Sequence, residues 1–260
     1  MSPSRTHTVE IAGRPCRVWE KGSGPSLFYF PSTALSLKWS SFHDALAARA
    51  RLFACSLPGF GGSEGGDAID DQLGWCLAGR DMLLAAGFKP GDTLVGSSAA
   101  AAVAVDIAAL WPDLIGKLVL IGPFGLYDMA EPTRDIFALQ TKEAPGVFCE
   151  NPGAYSEQMA APAGEEAILW SIGVNRAHEA AARILWPFGD TRLSRRLHRV
   201  TAPTLLLWGE ADKVVPPSYA TRFADGMSRK VSTMTIARGG HLVELDRPQE
   251  TAAAILAFAQ

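Results

Sequence analysis

The segment Thr93-Leu94-Val95-Gly96-Ser97-Ser98-Ala99-Ala100 constrains the fold of this chain more than any other. A strand-like run enters it and an alanine-rich stretch to Leu110 leaves it, so a strand must turn sharply into a helix. A Gly-x-Ser-x-small pentad suits that turn, because strand and helix approach closely two residues before and two after the serine. Gly96 and Ala100 occupy those places, and alanine adds one methyl where glycine is usual. The register therefore selects Ser98, not Ser97, as a nucleophile held in a strained turn. A small-residue turn in some other α/β protein is the alternative while the pentad stands alone.

A serine nucleophile needs a base, and histidine is the usual one near neutral pH. His7 lies in the polar N-terminal segment, His43 in a helix-like stretch after Trp39, and His198 among Arg195, Arg196 and Arg199. His241 differs: it follows the strand pattern Val231 to Ile236 and the turn Arg238-Gly239-Gly240. That puts it on a loop at a strand's carboxyl end, where open α/β sheets place their chemistry. A carboxylate must then orient the imidazole and stabilise its protonated form. Asp212, just past the apolar run Pro203 to Trp208, stands at another carboxyl edge, with Glu210 and Asp128 as competitors. The resulting chain order is Ser, Asp, His.

Strand patterns alternate with helical ones across most of the chain, which argues for a mainly parallel sheet covered on both faces. Two short opening strands, around Thr8 to Ile11 and Pro15 to Trp19, read as an antiparallel edge. Residues 131 to 197 break the alternation with helix-like segments carrying Phe137, Leu139, Phe148, Tyr155, Met159, Ile168, Trp170 and Trp186. With 260 residues and 48% hydrophobic content, one substantial core is expected.

Taken together, these segments resemble the α/β-hydrolase superfamily. Ser56-Leu57-Pro58-Gly59-Phe60-Gly61-Gly62-Ser63 is similar to that family's Asp-x-Pro-Gly-x-Gly-x-Ser loop, with serine where aspartate is usual. Trp111-Pro112 followed by Lys117 to Ile121 is similar to its helix-to-sixth-strand join. Leu206 to Asp212 resembles its acid motif, and Gly239-Gly240-His241 to Pro248 its histidine motif. The resemblance implies an α/β-hydrolase fold: a mainly parallel eight-stranded sheet flanked by helices. Residues 1–130 and 198–260 would form the core, and 131–197 a helical lid inserted after the sixth strand.

It also implies a serine hydrolase, carboxylesterase-like, that cleaves a small or medium ester through an acyl-enzyme on Ser98. The oxyanion hole would use the backbone amides of Ala99 and of the turn after the third strand. There Phe30-Pro31 stands where the family has His-Gly, and proline has no amide hydrogen, so the donor moves to Ser32. Phe30, Phe137, Trp170, Trp186 and Leu242 are the expected substrate-lining residues, and Arg176, His178 and Arg183 are candidates for polar groups beside them. Meta-cleavage-product hydrolases, which cleave a carbon–carbon bond, share this arrangement of core and lid. They tend to have an aromatic residue beside the catalytic histidine, where this chain has Leu242. A ligand receptor retaining the fold is the non-enzymatic alternative.

A net charge of −3 gives no electrostatic footprint for nucleic acid. Arg192 to Arg199, the one basic cluster, reads as a solvated helix face. Cys16, Cys55, Cys76 and Cys149 show no paired metal spacing and read as reduced thiols of the core. The stretch Gly59 to Gly66 lacks the spacing of a phosphate loop. No spacing suggests a metal or organic cofactor. No apolar signal region opens the chain and no run approaches a membrane span. The expectation is a cytoplasmic protein whose partner is a small molecule with an apolar portion, not a nucleic acid or a membrane.

Overall fold

The strand-like runs pair into one eight-stranded sheet in the computed structural model, which describes residues 2–186, 189–228 and 231–260. In chain order the first half comprises β1 (Arg5–Ile11), β2 (Arg14–Lys21), β3 (Ser26–Phe30), α1 (Thr33–Leu37), α2 (Ser41–Ala47), β4 (Arg51–Cys55), α3 (Gln72–Ala85), β5 (Thr93–Ser97), α4 (Ser98–Leu110) and β6 (Lys117–Ile121). There follow α5 (Ala144–Phe148), α6 (Pro152–Met159), α7 (Ala167–Leu185), β7 (Thr204–Gly209), α8 (Tyr219–Gly226), β8 (Val231–Ile236), α9 (Val243–Asp246) and α10 (Pro248–Ala259).

The sheet order is β1-β2-β4-β3-β5-β6-β7-β8. β1 and β2 form an antiparallel hairpin closed by Ala12-Gly13, both at positive φ as a two-residue turn demands. β2 pairs antiparallel with β4, and every later pairing is parallel. β5 and β7 are buried throughout their length, which explains why they read as unbroken runs without alternation. The parallel strands β3, β5, β6 and β7 and the neighbouring β8 all end at one edge of the sheet. That edge receives the turn after Phe30, the start of α4, Gly122, Asp212 and His241.

α4 is the central helix, buried from Ser98 to Ala109. Its alanines let it lie close on β5: a Cβ on Gly96 would stand 2.7 Å from Ala104 Cβ and 2.8 Å from Ala101 Cα. The small residues of the pentad are thus a packing requirement. α3 begins at Gln72 because the Asp71 side chain accepts a hydrogen bond from Gly74 N at 2.7 Å and caps it.

Between β6 and β7 the chain leaves the sheet and forms α5, α6 and α7. The C-terminal half of α7 packs inward through Ala177, Ala180, Ala181, Ile184 and Leu185, while Ile168, Leu169 and Ile172 of its first turns are exposed. Phe137 and Leu139, expected in a helix, lie in an irregular stretch. The Asp135 carboxylate accepts from the amides of Phe137 and Ala138, so a side-chain turn replaces a helical start there. The basic cluster is likewise no solvated helix face. Arg196 forms a bidentate pair with the buried Asp106 of α4 at 2.5 and 2.6 Å, and Arg199 donates to Ala109 O at 2.9 Å. All four cysteines are free and buried, and burial raises their pKa values, that of Cys16 to about 11. Among the described residues no helix is long and apolar enough to cross a membrane.

Candidate active site

β5 delivers its last residue, Ser97, straight into α4, and Ser98 takes the turn with φ +56°. A non-glycine residue with positive φ is strained, and such strain persists only where the surroundings over-determine it. Here Gly96 and the alanines of α4 do so by holding strand and helix in contact. The turn presents Ser98 Oγ 2.8 Å from His241 Nε2.

His241 Nδ1 lies 2.9 Å from Asp212 Oδ2 and 3.1 Å from Oδ1. Oδ1 also accepts from the amides of Val214 and Val215 at 2.8 and 2.9 Å, so the carboxylate is clamped by its own loop. A carboxylate on Nδ1 holds the imidazole proton there and leaves Nε2 free to accept from Ser98. The competing acids are engaged elsewhere: Asp128 pairs with Arg222 at 2.5 Å, and Glu210 accepts from Arg238 N. The loop before His241 is fixed by Asp246, which accepts from Gly240 N at 2.7 Å and from Glu150 N and Asn151 N at 2.9 and 2.8 Å.

A hydroxyl, an imidazole and a carboxylate in this line can pass a proton from oxygen to nitrogen and hold the resulting imidazolium. The family model described as alpha/beta hydrolase matches residues 22–254. The chain belongs to that family. It is 27% identical to a dihydrolipoyllysine-residue acetyltransferase component of an acetoin cleaving system from Pseudomonas putida, over 96% of this chain and 68% of that one. It is 26% identical to a 2-hydroxy-6-oxo-6-(2'-aminophenyl)hexa-2,4-dienoic acid hydrolase from Metapseudomonas resinovorans, over 96% and 89% of the two chains. The crystal structure of a membrane phospholipase A, 27% identical, superposes with a TM-score of 0.73 over 98% of this chain and 85% of that one.

Within this family member the structure brings Ser98, His241 and Asp212 together; Leu242, next to His241, and Phe30, paired with Gly96 across the sheet, are both buried. Ser32 is buried at the start of α1, and its hydroxyl accepts from Leu35 N. Ala99 stands at the first turn of α4. The remaining expected lining residues lie further out. Trp170 spends its indole N–H on Met159 O at 2.7 Å, which fastens α7 to the end of α6. Phe137 is partly exposed and Trp186 is 77% exposed at the end of α7. Arg176 and Arg183 line a separate cleft of about 440 Å³, with Arg14, Glu64, Asp67 and Glu179, that does not include Ser98. His178 is half-buried on the same helix, and burial lowers its pKa.

Two neighbours of the imidazole, Phe124 and Gly122, were not singled out from the sequence, and a third, Phe148, was named only as an apolar residue of the 131–197 segment. Phe124 presents its ring edge-on 5.6 Å from the His241 ring, and Phe148 lies 6.0 Å away. Gly122, at φ +47°, passes so close that a Cβ there would stand 3.2 Å from His241 Cε1 and Nδ1. Gly122-Pro123-Phe124 follows a strand at the reactive edge, so its place was a usable signal. Phe148 belongs to α5, and its local pattern did not set it apart from the other apolar residues of that segment.

Proposed function

We propose that this chain is a serine hydrolase of small or medium carboxylic esters. The observation that carries the reading is Ser98 Oγ, on a strained turn, 2.8 Å from His241 Nε2. In the forward step Ser98 Oγ attacks the ester carbonyl carbon and its proton passes to Nε2. The oxyanion accepts hydrogen bonds from the amides of Ala99 and Ser32, each worth about 3 kcal/mol in comparable sites. The partial positive charge at the start of α4 favours the same oxyanion. The imidazolium, held by Asp212, returns its proton to the departing alkoxide as the carbon–oxygen bond breaks. Water, losing a proton to Nε2, then attacks the acyl carbon, and the imidazolium returns that proton to Ser98 Oγ as its bond to the acyl carbon breaks and the acid leaves.

We read residues 131–197 as a lid over this serine. Phe148 of α5 against the imidazole, and a Ser98 only 6% exposed, support that reading. The apolar rings of Phe124 and Phe148 against the imidazole fit a substrate with an apolar portion. The name of the phospholipase A relative is in keeping with an ester.

Hydrolysis of a carbon–carbon bond in a vinylogous diketone is the second reading. Phe124 and Phe148 set aromatic rings against the imidazole from other elements, where Leu242 does not. A hexadienoic acid hydrolase is among the relatives.

Labelling with a fluorophosphonate and peptide mapping, beside turnover of p-nitrophenyl acetate, butyrate and octanoate, tests the proposal. A single adduct on Ser98 with ester turnover is expected, both abolished in Ser98→Ala at an unchanged melting temperature. An adduct without ester turnover moves the reading to the carbon–carbon substrate or to a receptor. Absence of any adduct on Ser98 overturns it.

A further inference from the structure

Glu244, three residues past the imidazole, is fully buried on α9, yet nothing in the proton relay uses it. Its Oε1 takes a short hydrogen bond from the Ser97 hydroxyl and another, at 3.2 Å, from the Tyr29 hydroxyl. Ser97 immediately precedes the nucleophile, and Tyr29 lies near the end of the strand that enters the Ser32 turn. Burial and the neighbouring Glu244 raise the Tyr29 pKa well above its ordinary value, so its hydroxyl keeps the proton that it donates to Oε1. One carboxyl therefore joins three segments: the serine elbow, the strand that leads into the Ser32 turn, and the histidine loop.

A side chain that only filled this space would be apolar. Glu244 instead leaves Oε2 buried with no hydrogen-bond partner, an unfavourable arrangement in any core. Burial raises its pKa, against the opposing pull of the Ser97 hydroxyl and the nearby His241. A costly polar group tends to be retained where it sets a geometry. The covalent path from imidazole to hydroxyl through Leu242, Val243 and Glu244, across the hydrogen bond to Ser97 and on to Ser98, closes a short ring. Opening that ring frees both loops to drift, and a displacement of about 1 Å at reacting atoms is worth about 100-fold in rate.

We propose that Glu244 is a positioning residue for the nucleophile, acting through Ser97 and Tyr29 to hold Ser98 at its working distance from His241. The proposal rests on the serine-hydrolase reading of the site. The full-length chain and its variants Glu244→Gln, Glu244→Met, Ser97→Ala and the double variant Glu244→Met/Ser97→Ala would be compared for kcat and KM on p-nitrophenyl butyrate. Rates are taken per fluorophosphonate-titrated Ser98, with the melting temperature alongside. Glu244→Met and Ser97→Ala should each lower kcat about 10- to 100-fold with KM changed less than about 3-fold. Glu244→Gln, which keeps the acceptor oxygen, should restore kcat to within about 5-fold of the original. The double variant should be no slower than the slower single one, because both remove the same link.

A Glu244→Met or Ser97→Ala chain with undiminished kcat per titrated site overturns the proposal, as do losses that multiply. If Glu244→Met does not fold, Ser97→Ala, which removes a single oxygen, decides the matter. A parent chain that takes no label at Ser98 overturns the serine-nucleophile reading itself. A labelled parent with indifferent variants overturns this proposal alone.

Discussion

Gly122 shows how little room the site leaves. It holds φ +47° at the end of β6, and a Cβ there would meet His241 Cε1 and Nδ1 at 3.2 Å and Asp212 Oδ2 at 3.4 Å. Gly122→Ala therefore has two effects. The left-handed backbone costs about 1–2 kcal/mol with a side chain present, and the methyl pushes the imidazole away from its line to Ser98. We expect kcat on p-nitrophenyl butyrate to fall about 10- to 100-fold with KM nearly unchanged, and the melting temperature to drop by a few degrees. A variant that keeps its kcat while losing stability would show that the imidazole is not held from this side. Ser98, Asp212 and His241 were legible in the sequence because each lies just past a recognisable strand, inside a local pattern. Glu244 was not, since its meaning depends on Tyr29, 215 residues away in the chain, and on Ser97, 147 residues away. No local pattern carries such a pairing.

At the scale of elements, the segment that returns the chain from α7 to β7 is anchored on α4 by the ion pair of Arg196 with the buried Asp106. Asp106 on α4 takes both guanidinium bonds of Arg196 and a third from Gln72 Nε2 at 2.7 Å. Removing the carboxylate leaves a partly buried guanidinium without its partner, and breaking a buried pair in this way costs about 3–5 kcal/mol. Arg196 keeps some exposure, 21% of its side chain, so the lower end applies. Urea unfolding of Asp106→Ala should show a loss of about 3 kcal/mol. The double variant Asp106→Ala/Arg196→Met should regain part of it, because the stranded cation is gone. Equal losses in both would mean that the pair adds no more than packing. The sequence disclosed the presence of Arg196 but not its role, for a run of arginines on the surface and one docked on a buried aspartate look alike. The strands were read to within a few residues, since each is a short apolar run between turn residues. Their order in the sheet, with β4 between β2 and β3, was not legible, because alternation marks strands without saying which of them pair.

At the scale of the whole molecule, acid sensitivity should trace to His43, which is fully buried on α2. Its Nδ1 accepts from Ser40 N at 3.1 Å and caps α2, while its ring stacks on Trp39 at 4.7 Å and meets Trp19, Tyr29 and Phe42. Nε2 is buried with no partner. Burial lowers its pKa from 6.5 to about 3, with Arg17 from β2 acting in the same direction and Asp44 opposing. Between those two values the unfolded chain binds a proton that the folded chain refuses. Stability from this group is thus fully present above pH 6.5 and declines as pH falls, by about 1.4 kcal/mol per unit. Glu244 works in the opposite sense: its raised pKa makes its contribution shrink as pH rises above the ordinary glutamate value. Only the first effect is removed in His43→Gln, whose amide oxygen can still accept from Ser40 N. Urea unfolding at pH 6.5 and pH 5.0 should therefore show the parent chain losing about 2 kcal/mol more than the variant over that interval. Parallel losses in the two chains would relieve His43 of this role and leave the acid response to the carboxylates.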